Sequence, residues 1–183
     1  RHNPVDPLDV TRAEMAAREQ MFEICHFLRE QVPGFEHSQL VYSAGEIGVR
    51  ESRKIVGEYV LTQEDLVACT KFPDRIAAGN YDIDIHNPEG SGTSHYYFAP
   101  GTWYTIPYRS LLPLKAGNLL VAGRCISATH EAQASIRILP IVATLGQAAG
   151  VAAAVSLRAG VAPREADVAE IQRILTREGA FIG

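Results

Sequence analysis

Residue types able to do chemistry concentrate in one stretch. Asn118–Ala154 joins an apolar tetrapeptide, Leu119–Ala122, to a Gly123–Arg124 turn. A polar loop with Cys125, Ser127, His130 and Arg137 follows, then a helix of small residues entered at Pro140. An apolar strand, a glycine turn and a helix together bring backbone close to a cofactor in α/β proteins. Proline suits the first helical turn, where its missing N–H is not needed, and the positive end of the helix favours negative charge. His130 carries the side chain that titrates nearest neutrality. It reads either as a proton donor or substrate hydrogen-bond partner, or as a loop histidine bonded to a backbone carbonyl. Arg137 reads as a contact to cofactor or substrate, or as the structural partner of Glu131 or another carboxylate. Cys125 reads either as a redox-active thiol beside a cofactor or, having no partner cysteine within reach in sequence, as a small buried thiol, the second being favoured.

Other clusters are weaker. Arg50, Arg53 and Lys54 could fork onto a carboxylate substrate, or form a solvated face with bridges to Glu51 and Glu58. His86 and His95 bracket a turn at a spacing that fits no zinc motif, so no metal is expected. A metal-dependent hydrolase built on His86, His95 and His130 would need stoichiometric metal. Tyr96, Tyr97, Trp103, Tyr104 and Tyr108 suit a sheet core or domain interface, with stacking on a planar ligand as the functional alternative.

The chain has 183 residues, a formal charge of -4 and three cysteines far apart in sequence. Without net basicity or a basic stripe, nucleic acid is not expected as a partner. The cysteine usage favours a reducing compartment, and a cytoplasmic location is the expectation. Residues 138–157 reach the length of a membrane span, but they are mostly Ala and Gly, and the expectation is a buried internal helix with no membrane partner.

Elements able to position these residues can be read along the chain. Thr11-Arg12-Ala13-Glu14 has capping-box spacing and predicts a helix over Thr11–Val32. Leu40–Tyr42, Ile47–Val49 and Ile55–Leu61 read as strands. Thr62–Asp65 opens a short helix. Tyr81, Ile83 and Ile85 alternate with polar residues as in a half-buried strand, Asn87–Gly90 reads as a turn, and residues 96–108 as extended. Asp167 starts a last helix that Gly179 ends.

Residues 118–154 resemble the C-terminal flavin-binding segment of the FAD-dependent oxidoreductase family, within the wider glutathione-reductase-like superfamily. The same family is echoed by Gly48-Val49-Arg50-Glu51-Ser52-Arg53, by Gly57-Glu58-Tyr59-Val60-Leu61-Thr62, and by Ile106-Pro107-Tyr108-Arg109-Ser110-Leu111, in the right order. The resemblance implies FAD as cofactor, with the redox chemistry supplied by the flavin, and a small-molecule substrate of unknown identity. It implies an α/β fold, mixed α+β in this stretch. Residues 1–110 would be a cap or substrate region of helix plus antiparallel sheet, and 111–183 the C-terminal strand-helix part of an FAD-binding domain. By resemblance, Gly123, Arg124 and the loop through Ser127 to Arg137 contact the flavin; the proline-started helix adds Leu139, Pro140 and Ile141, and His130 and Arg137 are the catalytic candidates.

There are two departures from the family pattern. The superfamily's Gly-Asp pair appears here as Gly123–Arg124, and a guanidinium cannot accept hydrogen bonds from ribityl hydroxyls. Arg124 then reaches the pyrophosphate, or turns away into an ion pair. The G-x-G-x-x-G fingerprint that holds the ADP half of FAD does not occur, since Gly90-Ser91-Gly92 is followed by His95 where the third glycine would stand. The chain also opens at Arg1 rather than Met. The expectation is the C-terminal portion of a longer enzyme, inactive and without tightly bound FAD by itself, with a homo-oligomer possible through its bared apolar faces. The alternative is a non-catalytic interaction or scaffold module derived from such an enzyme.

Overall fold

The computed structural model describes residues 2–86 and 93–183. It divides into two compact units, Arg1–Ser52 and Arg53–Gly183. In the first, α1 (Pro7–Gln31) starts at the N-cap Asp6, whose carboxylate accepts from the Leu8 N–H at 3.0 Å. The helix thus begins four residues before Thr11. Asp6 supplies the cap and Pro7 the pre-set first turn, while Thr11 Oγ1 donates to the Pro7 carbonyl at 2.9 Å, inside the helix. Glu14, the other half of the expected capping box, accepts from Arg18 at 2.7 Å and from the Ile47 N–H at 2.8 Å. Arg18 also donates to Ser43 Oγ and to the carbonyls of Ala44 and Gly45, tying the following loop to α1. The strands expected over Leu40–Tyr42 and Ile47–Val49 do not form. Val41 is 94% exposed, and β-branched residues without a ladder neighbour have no packing partner to make a strand worthwhile.

The second unit holds the rest. The capping box of Thr62 and Asp65 opens α2 (Gln63–Val67) as expected. Tyr59 reinforces it by donating to Asp65 Oδ2 at 2.8 Å. β1 (Arg75–Gly79) pairs antiparallel with β4 (Tyr104–Pro107), and β2 (Ile83–His86) pairs antiparallel with β3 (Thr93–Tyr96). The antiparallel sheet expected before residue 110 is therefore two short ribbons among the described residues. The turn expected at Asn87–Gly90 lies outside them. Residues 55–61 run extended between two other segments without becoming a named strand: Ile55 N–H donates to the Cys125 carbonyl, Glu58 N–H to Leu112, and Leu61 N–H to Ser127. Close approach at this point requires Gly57, because a Cβ there would stand 2.7 Å from Ser127 Cβ.

The expected buried strand at Leu119–Ala122 is absent. These residues form no regular element, with Leu119 48% exposed, and Val121 N–H donates to the Leu111 carbonyl at 3.0 Å. One such bond makes no ladder. The polar loop expected ahead of Pro140 contains a helix, α3 (His130–Ile136), capped by Thr129. α4 (Leu139–Ala159) follows directly, starting one residue before Pro140. It packs on β1 and on α5 (Val168–Arg177), which Asp167 caps as expected. Its buried stripe is Ile141, Leu145, Ala148, Ala152 and Val155, while Gly146 and Gly150 face outward. By length and composition alone α4 could cross a membrane. It is buried along one face rather than all round.

Candidate functional site

The α3–α4 corner is the focus of the second unit. α3 ends at Ile136, Arg137 takes the C-cap, and Ile138 is already the N-cap of α4. Ile138 has no side chain able to cap. The N–H groups of Leu139 and Ile141 are therefore left open and Pro140 has none to offer, which concentrates positive potential at this end. Leu139 is 84% exposed and Pro140 is exposed, whereas Ile141 is buried and anchors the first turn.

Two glycines shape the approach to this helix start. Gly123 has φ 93°, a conformation that favours glycine, and the nearest atom to a Cβ added there is Val142 Cγ1 at 3.8 Å. The turn thus lies beside the first turn of α4 with open space above its backbone. On the buried side, Gly79 ends β1 directly opposite Tyr104. A Cβ on Gly79 would meet Ile141 Cδ1 at 2.4 Å and the Tyr104 hydroxyl oxygen at 2.8 Å. Strand β1 can therefore pass under α4 only because residue 79 lacks a side chain.

A buried hydrogen-bond chain closes the corner. Tyr104 and Ser135 lie 2.7 Å apart, oxygen to oxygen, and Ser135 Oγ donates to the Tyr81 carbonyl. With the serine proton committed to that carbonyl, Tyr104 is the donor to Ser135. Burial pushes the Tyr104 phenol far above its ordinary value. It therefore stays protonated as a donor. The chain ties β4 to the last turn of α3 and to the segment leading into β2.

The residues singled out from the sequence distribute unevenly. Gly123, Leu139, Pro140 and Ile141 gather at the start of α4. Arg137 is half-buried at the corner, its Nε donating to the Ala134 carbonyl at 3.2 Å. His130 is exposed at the first residue of α3, a full helix away from Arg137. Arg124 is exposed beside Gly123. Ser127 is 1% exposed and packs against Gly57, so its side chain faces protein rather than solvent. Cys125 is half-buried and free, with Sγ 3.6 Å from the Ala122 carbonyl oxygen.

His95 stands opposite Asp84 across the β2–β3 ribbon, with Nε2 3.3 Å from Oδ1, and stacks on Tyr97. Among the described residues no group of three or more His, Cys, Asp or Glu could hold a metal ion. Tyr104 and Tyr108 are core residues, but Tyr97 is 70% exposed. Glu58 pairs with Arg164 at 3.6 Å.

Sequence reading missed Gly79, Tyr104 and Ser135 as parts of one corner. A glycine ending the apolar run Ile76–Ala78 was the available signal, since a strand-end glycine marks close backbone approach.

These features find their family by comparison. The model of the FAD dependent oxidoreductase family matches residues 1–175. The chain belongs to the FAD dependent oxidoreductase family. The match spans both units and includes the Gly123 turn and the α3–α4 corner. No curated protein and no solved structure matches the chain.

Residues at the corner can be tested against what a flavin requires. A planar ring carrying carbonyl and nitrogen acceptors needs open backbone donors and unobstructed space beside them. The uncapped start of α4 offers the donors, and the positive-φ glycine facing Val142 offers the space. The residues present fit that group.

Proposed function

We propose that this chain supplies the substrate-side region and the isoalloxazine-facing wall of the flavin site in an FAD-dependent oxidoreductase. The observation that carries the reading is the uncapped α4 N-terminus with the Gly123 turn beside it. When bound, the flavin takes up and passes on the electrons, and its pyrimidine end gathers negative charge as it is reduced. The chain's own residues orient it and shape its surroundings. The Leu139 and Ile141 N–H groups would hold that end of the ring, where the positive pole of α4 would favour the added charge. Gly123 lets backbone approach the cofactor without a side chain in the way. Arg124 reaches a phosphate, for which an exposed guanidinium is suited. Ser127 contributes through the backbone of the loop rather than its buried hydroxyl. His130 and Arg137 are the groups offered to substrate, His130 for proton transfer and Arg137 for holding an anionic group.

In this reading residues 1–110 serve the substrate side and 111–183 the flavin side. That division is functional: residues 53–110 and 111–183 pack as parts of one unit. These 183 residues carry no G-x-G-x-x-G with which to hold the ADP half of FAD. The enzyme is cytoplasmic, acts on a small molecule, and uses α4 as a packed helix rather than a membrane span. An absorbance spectrum of the complete gene product tests the reading. Flavin bands that disappear on addition of a reducing substrate support it, and a colourless folded protein refutes it. Arg137→Ala in that protein should lower substrate turnover at least tenfold.

A further inference from the structure

Three groups meet under the start of α4: the half-buried Gly79 backbone, the buried Tyr104 ring with its hydroxyl, and the buried Ile141 side chain. Each comes from a different element, β1, β4 and α4. From the same hydroxyl runs the chain through Ser135 to the Tyr81 carbonyl, which reaches the last turn of α3 and the residues entering β2. The position of the α4 N-terminus is therefore fixed from two sides. Packing of Ile141 on Gly79 sets its height over β1, and the hydrogen bonds set where α3 ends and α4 begins.

We propose that Tyr104 is a positioning residue of the flavin site, acting through Ser135 and the Tyr81 carbonyl to fix the α3–α4 corner and so the place of the open α4 N–H groups. The proposal rests on the reading that this helix start faces the isoalloxazine. Tyr104 is fully buried, so it acts through its neighbours rather than by facing the ring. Its hydroxyl donates to Ser135 in one direction only, because the Ser135 proton is held by Tyr81. Removing the hydroxyl leaves Ser135 without its donor and frees the last turn of α3 from β4. The corner then relaxes, and preorganised backbone donors lose their aim at the place where charge develops.

Tyr108 provides an internal control. It is as buried as Tyr104 and its hydroxyl donates to the Pro163 carbonyl at 2.8 Å, away from the α3–α4 corner. Tyr108→Phe therefore loosens the same core without touching the corner. Leu139→Asp tests the underlying reading. A carboxylate at an exposed first helical position suits the helix and opposes negative charge gathered on a ring beside it.

The experiment uses the full-length FAD-loaded enzyme and two readouts besides activity. The first is the ratio of reduced to oxidised flavin, poised at the wild-type midpoint. The second is hydrogen exchange of the Val142 amide, which is bonded to the Ile138 carbonyl in the first turn of α4. Tyr104→Phe and Ser135→Ala are expected to lower the reduced-to-oxidised ratio at least threefold and to speed Val142 exchange at least tenfold. Tyr108→Phe leaves both near wild type. Should Tyr104→Phe fail to fold, Ser135→Ala, which removes a smaller group, decides the matter.

If Leu139→Asp lowers the ratio while Tyr104→Phe and Ser135→Ala do not, the positioning role is overturned and the flavin-wall reading stands. A ratio unmoved by Leu139→Asp overturns that reading, and this proposal with it. A shift shared equally by Tyr108→Phe marks a general loosening of the core, which also overturns the positioning role.

Discussion

Gly79→Ala is the sharpest perturbation of the corner, and its magnitude follows from contact distances. The added methyl would sit 2.4 Å from Ile141 Cδ1, 2.8 Å from the Tyr104 hydroxyl oxygen and 3.0 Å from Tyr104 Cζ. Comfortable carbon contacts lie at about 3.5–4.0 Å, so the space is short by about 1 Å on one side and about half that on the other. Ile141 Cδ1 is a chain end and can swing aside. The Tyr104 ring cannot, because Ser135 holds its hydroxyl. Overpacking of this kind costs about 1–3 kcal/mol. The backbone φ of Gly79 is not left-handed, so alanine also gains about 0.4–1 kcal/mol from a less flexible unfolded chain. A net loss of about 1–2 kcal/mol remains, or about 3–6 °C in Tm for a chain of this size. Fluorescence of Trp103, the single tryptophan in the sequence, follows unfolding of the unit concerned. Ile141→Val removes the methyl nearest the clash and alone costs about 1 kcal/mol. The double variant should be less destabilised than the sum of the two by about 1 kcal/mol. A Gly79→Ala protein as stable as wild type, or strictly additive effects, would refute the packing geometry.

Alkaline stability should depend on buried tyrosines. Burial, reinforced by the Glu58 charge, raises the Tyr108 phenol to about 12. The folded state then keeps a proton that the unfolded chain gives up near pH 10, so stability is fully present below about pH 10 and declines as pH rises toward 12. Tyr108→Phe should flatten that decline in urea titrations at pH 9 and pH 11. Residues 1–183 alone should bind FAD only weakly, because the sequence carries no G-x-G-x-x-G fingerprint for its ADP half; saturable binding at low micromolar FAD, followed by flavin fluorescence, would contradict this. The chain alone should also self-associate through exposed Leu119 and Leu157. Sedimentation should show Leu119→Lys/Leu157→Lys shifted toward monomer, and unchanged assembly would locate the contact elsewhere.

Local signals in the sequence carried the helices well where cap and first turn were both written in. Thr62–Asp65, Asp167 and the proline-started α4 all appear where their residues place them. Thr11 misled because Asp6-Pro7 is a stronger start signal four residues earlier, and a helix takes the first adequate cap. Thr129 was a usable cap for α3, but its surroundings read as a loop. Strands were less legible. β2 alternates cleanly, whereas Leu40–Tyr42 and Leu119–Ala122 have strand-like composition without a ladder neighbour, and pairing is decided by residues far away in sequence. For the site, Gly123 and the Leu139–Ile141 helix start were visible as a local pattern. The Gly79–Tyr104–Ser135 corner was not, because its members lie 25 to 56 residues apart in sequence and only β1–β4 pairing and the α3–β2 contact bring them together.

The central claim is that the start of α4 walls the flavin ring. A crystal structure of the complete enzyme with FAD tests it most directly. The account predicts the isoalloxazine in hydrogen-bonding or van der Waals contact with the backbone of residues 139–141, with the Gly123 turn against the cofactor. A ring bound elsewhere, with the Leu139 and Ile141 N–H groups facing solvent or another protein segment, would contradict it.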